Sequence, residues 1–185
     1  MKTDAALLGR CAEVVREADG LLVTAGAGMG VDSGLPDFRG TQGFWRAYPA
    51  LGRARIAFES IASPAAFDAD PRLAWGFYGH RLALYRRTEP HEGFAILKQI
   101  GDSMPNGTFV LTSNVDGQFG KAEYSAERVC EIHGSVHHLQ CMRGCCDEIW
   151  SAADFAPEID EEKCLLRSAL PACPRCKGLA RPNIL

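Results

Sequence analysis

The chain is short of the features that would direct it to nucleic acid or into a membrane. Its 185 residues carry 20 Lys and Arg against 23 Asp and Glu, a net charge of −3. No basic field is therefore available for a phosphate backbone, and direct nucleic-acid binding is not expected. No apolar run approaches the roughly 20 residues that a membrane span needs, so no membrane partner is expected either. Residues 1–19 mix acids and bases with Leu7, Leu8, Cys11, Val14 and Val15 at helical intervals. That is not the charged, apolar, then small-residue order of a signal peptide. Internal repeats and low-complexity tracts are absent. Two common nucleotide fingerprints are also missing. Val31 stands where the third glycine of G-x-G-x-x-G would fall, and no Gly-Lys-Ser/Thr follows the glycines. The eight cysteines have no secretion signal to explain them as disulfides. Metal binding in a reducing, cytoplasmic chain is the better account.

What is present starts at Gly20-Leu21-Leu22-Val23, an apolar run suited to a buried parallel strand. It leads into Thr24-Ala25-Gly26-Ala27-Gly28-Met29-Gly30-Val31-Asp32-Ser33-Gly34-Leu35-Pro36-Asp37-Phe38-Arg39-Gly40. Without side chains at Gly26 and Gly28, backbone N–H groups can approach a pyrophosphate closely. Asp37, Phe38 and Arg39 add a charge, a ring and a guanidinium within one loop. A second apolar strand, Thr108 to Thr112, follows a helix over Gly93 to Ile100 and the turn Pro105-Asn106-Gly107. A helix between two buried strands is the unit of a parallel sheet, which makes the chain α/β. Residues 4–18 predict an amphipathic helix, and 43–100 read as mostly helical.

After the second strand comes Thr112-Ser113-Asn114-Val115-Asp116-Gly117. Loops at the carboxyl ends of parallel strands are where open α/β sheets bind ligands. Asn114 both donates and accepts, and Asp116 accepts, which suits a carboxamide. The bland alternative is a turn in which both side chains bond their own backbone. From Cys141 to Cys176 the apolar periodicity gives way to cysteines, prolines and the acidic stretch Asp154 to Glu162. Cys141-x3-Cys145 and Cys173-x2-Cys176 are two close thiol pairs of the kind that close a tetrahedral Zn2+ site, with Cys146 as an alternative to Cys145. Such a site has no open position for substrate, so its metal would be structural. Cys11, Cys130 and Cys164 read as packing residues. Tyr78 and Arg81, three apart on a helix, share a face.

Together these motifs resemble the NAD-binding signature of the sirtuins, the NAD-dependent protein-lysine deacylases. The resemblance covers nearly the whole chain. It rests on Gly-Ala-Gly with Ser-Gly-x-Pro-Asp-Phe-Arg, on Ser113-Asn114-Val115-Asp116 where the family has Gln-Asn-Ile-Asp, and on Glu131-Ile132-His133-Gly134-Ser135. It implies a Rossmann-like doubly wound parallel sheet with a helical insertion and a small zinc module. NAD, the co-substrate, would be held by Gly26, Ala27, Gly28, Ser33, Asp37, Phe38, Arg39, Ser113, Asn114 and Asp116, with His133 as catalytic base. The acyl-lysine oxygen would attack C1′ of the nicotinamide ribose, and His133 would take a proton from a ribose hydroxyl. The products would be nicotinamide, free lysine and O-acyl-ADP-ribose. Sirtuins that remove succinyl or malonyl groups carry Tyr-x2-Arg at the place of Tyr78 and Arg81, where the pair contacts the acyl carboxylate. Ser113 shortens the glutamine that would reach the ribose. Phe94 stands where the family often has the histidine of Pro-Asn-x-x-His.

The resemblance divides the chain into a Rossmann-like part (1–42 and 91–138, resumed at 181–185), a helical insertion (43–90) and a zinc module (139–180). Arg181 to Leu185 would lead back into the nucleotide-binding sheet. Strands for the adenosine half of NAD would lie beyond, in a missing segment or a second chain. NAD hydrolysis, ADP-ribosyl transfer on the same fold, or a non-catalytic NAD- and zinc-binding module are the competing readings.

Overall fold

The computed structural model describes residues 4–37 and 40–185. The chain opens with α1 (Ala5–Glu17) and β1 (Leu21–Ala25), followed by a 3-10 turn over Ala27–Ser33. Five helices come next: α2 (Gly40–Ala47), α3 (Pro49–Arg53), α4 (Phe58–Ile61), α5 (Pro64–Ala69) and α6 (Pro71–Arg87). Then α7 (Glu92–Asp102) leads to β2 (Thr108–Thr112), α8 (Gln118–Lys121) and β3 (Val129–Glu131). The remainder is β4 (Gly134–Cys141), β5 (Ile149–Ser151), β6 (Ile159–Asp160), β7 (Leu165–Leu166) and β8 (Ala180–Ile184).

Strands β1, β2 and β3 form a parallel sheet in that order, with Leu21 opposite Thr108 and Ala25 opposite Thr112. The expected strands and the parallel pairing are present. Side chains alternate across it. Val23 and Val110 point to the side where Phe94 of α7, Phe119 and Tyr124 pack. Leu22, Phe109 and Leu111, one residue on, are 64%, 39% and 38% exposed. One face is thus covered and the other open among the described residues, where the apolar runs had suggested burial on both. The predicted amphipathic helix α1 is also present, capped by the Asp4 side chain accepting the Ala6 N–H at 3.0 Å. It buries no residue.

The larger core is built around α6. Asp70 caps its start, accepting the N–H groups of Arg72 and Leu73 at 3.0 Å each, and Pro71 occupies the first turn. Trp75, Phe77, Tyr78, Leu82 and Tyr85 are buried on several sides of the helix, against α2–α5 on one side and β4–β8 on the other. Each such side chain contributes about 1.5–3 kcal/mol on burial.

Residues 180–184 correct one expectation. They do not rejoin the parallel sheet. Strand β8 pairs antiparallel with β4, giving a second sheet in the order β5-β4-β8. The Trp75 indole N–H donates to the Ala180 carbonyl at 2.9 Å, fixing where the strand starts. Gly134, at φ +78°, lets the Asn183 carbonyl approach to a distance that a Cβ would block. Pro182, which has no N–H to give, is tolerated because β8 is an edge strand. No helix among the described residues is long and apolar enough to cross a membrane.

Gly76 sits where α6 meets the backbone of Cys164 and Leu165, and a Cβ there would overlap the Cys164 carbonyl. Gly76→Ala should therefore destabilise the protein by about 1–3 kcal/mol, although alanine is the better helix former. Thermal unfolding should show a fall of several degrees. An unchanged or raised midpoint would mean that α6 and the 164–165 backbone are not in close contact.

Candidate active site and thiol cluster

The ends of β1 and β2 are stitched together. The Ala25 carbonyl accepts the Ser113 N–H at 3.0 Å and the Thr112 hydroxyl at 3.3 Å. The Asn114 side-chain amide donates to the Gly26 carbonyl at 2.9 Å, and the Asn114 N–H donates to Thr112 Oγ1 at 3.0 Å. Gly26 is fully extended (φ −138°, ψ −172°), and the 3-10 turn that follows closes on Gly34 at φ +87°. A cavity of about 590 Å³ lies over this turn, lined by residues 24–29 and Asp37. Gly26 and Gly28 in its lining carry no side chain to keep an anion from the backbone.

A second cavity, of about 350 Å³, shares Ala27 and Asp37 with the first. It brings together Ser113, Asn114, Asp116 and His133 with Tyr78, Arg81 and Tyr85 of α6. Leu35, Pro36, Phe58, Ile184 and Leu185 supply apolar walls. His133 is exposed, and its carbonyl accepts the Leu185 N–H at 3.1 Å. Asp116 accepts the Gln118 N–H at 3.0 Å while lining the cavity. The turn role and the site role thus coexist in this loop.

Of the residues singled out by sequence, Gly26 and Gly28 line the first cavity, Ala27 and Asp37 both. Ser33 lines neither. Its hydroxyl accepts the His91 N–H at 2.9 Å. Phe38 and Arg39 lie outside the described residues.

The sequence pattern passed over several neighbours. His91 donates through Nε2 to the Met29 carbonyl at 2.9 Å and accepts the Gly93 N–H on Nδ1 at 3.0 Å, so it ties the start of α7 to the glycine turn. His137 donates through Nε2 to the Asp116 carbonyl at 2.9 Å. Tyr85 accepts from Arg81 Nε at 2.8 Å. The signal for Tyr85 was its position four residues beyond Arg81 on one helix.

The cavity brings groups of both charge signs together. Arg81 is 8% exposed, and its guanidinium carbon lies 5.3, 5.9 and 5.3 Å from the ring centres of Phe77, Tyr78 and Tyr85. Burial opposes its charge, but Tyr85, Tyr48 and Tyr78 around it keep the guanidinium protonated. Burial also raises Asp116, against the Gln118 N–H and Arg81, which pull it down. Glu131, half-buried, is pushed up to about 7, first by burial and then by the charge of Asp116.

The four thiols Cys141, Cys145, Cys173 and Cys176 converge, with all sulfurs within 4.8 Å of one another. Cys141 lies 3.7 Å from Cys176, and Cys145 3.6 Å from Cys173. A tetrahedron with Zn–S bonds of about 2.3 Å has edges of about 3.8 Å, so the donor set fits zinc. Cys145, not Cys146, completes the cluster.

A family model described as the Sir2 family matches residues 26–185. Among curated proteins, an NAD-dependent protein deacylase of Pyrococcus furiosus is 31% identical over 179 residues, covering 97% of this chain and 65% of that protein. Another, of Aeropyrum pernix, is 34% identical over 162 residues, covering 86% and 56%. Among solved structures, a Sir2 homologue in complex with NAD aligns at a TM-score of 0.74 and 26% identity, over 96% of this chain and 60% of that one. A mutant Sir2 homologue in complex with ADP-ribose aligns at 0.73 and 27%, over 99% and 63%. The chain therefore spans less than two thirds of the length of each of these relatives.

Glu131, the last residue of β3, gives the fold a pH signature. Its carboxyl binds a proton more tightly in the folded chain, at about 7, than the ordinary 4.5 of an unfolded one. The stability it contributes is full below the unfolded value and is lost as pH rises through the folded one. Glu131→Gln should flatten the fall in thermal midpoint between pH 5 and pH 8. A variant that loses as much stability over that interval as the parent would remove Glu131 as the source.

Proposed function

The chain belongs to the Sir2 family, and from that premise we propose that it is an NAD-dependent protein-lysine deacylase acting on acidic acyl groups. One observation carries the reading. Three distant stretches of chain, 113–116, His133, and Tyr78 with Arg81, line a single cavity that opens onto the glycine turn.

The backbone N–H groups of Gly26 to Gly28 bind the pyrophosphate of NAD, and Asn114 and Asp116 hold the nicotinamide ribose end. Bound NAD supplies a glycosidic bond whose cleavage drives transfer of the acyl group to ADP-ribose. His133, exposed at the mouth, takes the proton from a ribose hydroxyl. An imidazole suits that task because its ordinary pKa lies near neutrality. Leu35, Phe58 and Ile184 exclude water from the reacting centre. Arg81, charged and buried, receives the carboxylate at the end of a succinyl or malonyl group, and Tyr78 lies beside it. Acyl-lysine proteins or peptides are the substrates.

Cys141, Cys145, Cys173 and Cys176 hold structural zinc, whose place away from the cavity leaves it no step in the reaction. Four reduced thiols also suit a cytoplasmic location.

The test is a product assay with NAD and an acyl-lysine peptide, reading nicotinamide, free lysine and acyl-ADP-ribose. His133→Ala should lower turnover by about 10²–10⁴-fold without changing the thermal midpoint. Parent-level deacylation by that variant would overturn the role of His133. Release of nicotinamide without loss of the acyl group would point to NAD hydrolysis instead.

Metal analysis should find about one zinc per chain, lost together with the fold of residues 141–180 in Cys173→Ala Cys176→Ala. Absence of zinc from the parent, or full retention by the double variant, would remove the metal assignment.

A further inference from the structure

Tyr85 lies in the same cavity as Tyr78 and Arg81, yet no motif named it. Positions 78, 81 and 85 fall on one face of α6, spaced by three and four. The Tyr85 hydroxyl accepts the Arg81 Nε–H at 2.8 Å, a buried side-chain bond. Tyr85 itself is 4% exposed, with its ring packed in the larger core.

The chemistry of that partner matters. A guanidinium recognises a carboxylate through a planar fork of N–H groups, and the plane must be set before the ligand arrives. Held by a carboxylate, Arg81 would be fixed in place but its charge would be neutralised. A hydroxyl fixes the plane through Nε and leaves the positive charge on the guanidinium. Burial pushes the Tyr85 phenol upward, so it stays a neutral hydroxyl under any physiological condition. The faces of Phe77 and Tyr78 confine the guanidinium further.

We propose that Tyr85 is a positioning residue that orients the Arg81 guanidinium for a terminal acyl carboxylate and so sets selectivity for acidic over neutral acyl-lysines. The inference rests on the reading of Arg81 as the acyl-carboxylate group.

Calorimetry needs no turnover. It measures the affinity of two peptides identical but for the lysine modification, succinyl or acetyl, for the parent chain, Tyr85→Phe, Arg81→Met and the double variant. The phenylalanine keeps the ring and its packing, and acetyl-peptide binding reports on the fold. The parent should prefer the succinyl peptide. Tyr85→Phe should cut that preference by about tenfold. In the Arg81→Met background the same substitution should change the preference by less than twofold, because there is no guanidinium left to orient.

An equal loss on both peptides, or a loss that persists without Arg81, would make Tyr85 a packing residue only. A parent preference that depends on Arg81 but is untouched by Tyr85→Phe would overturn the positioning role and leave the acidic-acyl reading standing. A parent with no preference for the succinyl peptide would overturn both.

Discussion

Leu21 to Ala25 and Thr108 to Thr112 run parallel and in register, so both strands end at the same level, and the loops that leave them start side by side. Everything at the site depends on that coincidence. The Ala25 carbonyl is taken up by Thr112 and Ser113, and the Gly26 carbonyl, which also accepts the Met29 N–H, by Asn114. A buried backbone acceptor without a partner costs about 1–3 kcal/mol, so the stitch is more than decoration. It fixes the glycine turn relative to the 113–116 loop before any ligand is present. His91 and His137 extend the stitch outward, the first to the Met29 carbonyl and the second to the Asp116 carbonyl. Both side chains bond to backbone, and both hold a loop at the cavity.

The second constraint is a buried positive charge. Arg81 sits on a helix that is otherwise apolar over most of its surface. Taking a guanidinium out of water is expensive unless its N–H groups are satisfied and its charge is met. Tyr85 bonds to it, Tyr78 offers a ring face, and Asp116 lies within reach of its charge. A helix that needed only to pack would place leucine at this position. Retaining the charge in the wall of the cavity makes sense if an anion is meant to enter. Burial raises Asp116 in the cavity wall, and Glu131 near it, toward the neutral form.

Much of this was legible in the sequence because it is local. The glycine turn, the Asn114-x-Asp116 loop and the two thiol pairs each depend on neighbours within a few residues. What was not legible depends on the third dimension. The runs Leu21 to Val23 and Thr108 to Leu111 look apolar throughout, yet burial alternates along β2, and Leu22 and Phe109 face outward. Composition cannot tell one covered face from two. Cys145 and Cys146 are indistinguishable by spacing, and only the path of the turn after β4 brings the first to Cys173. The destination of Arg181 to Leu185 was equally hidden. An apolar Arg-Pro strand can pair with any available edge, and the Trp75 indole and the absent Cβ at Gly134 select β4. Tyr85 was visible as a helical neighbour of Arg81, but its hydroxyl bond was not.

The pairing of β4 with β8 has a consequence that reaches the chemistry. Cys141 is the last residue of β4, and Ala180, opposite it, follows Cys173 and Cys176 by a short turn. At the other end of the same ladder Gly134 pairs with Ile184, and the Leu185 N–H bonds to the His133 carbonyl. The thiol cluster and His133 therefore lie at opposite ends of the β4–β8 ladder, roughly 26 Å of strand apart at about 3.3 Å per residue. On the other edge of β4, β5 pairs at residues 138–140 and makes the sheet three-stranded. Trp75 and the α6 core support one side of it, and the four thiols draw the strand ends together. Whatever holds the sulfurs thus also holds the register that places His133 and the Ile184–Leu185 wall at the cavity mouth. The β4–β8 pairing is thus the path that links the thiol cluster to the wall of the cavity.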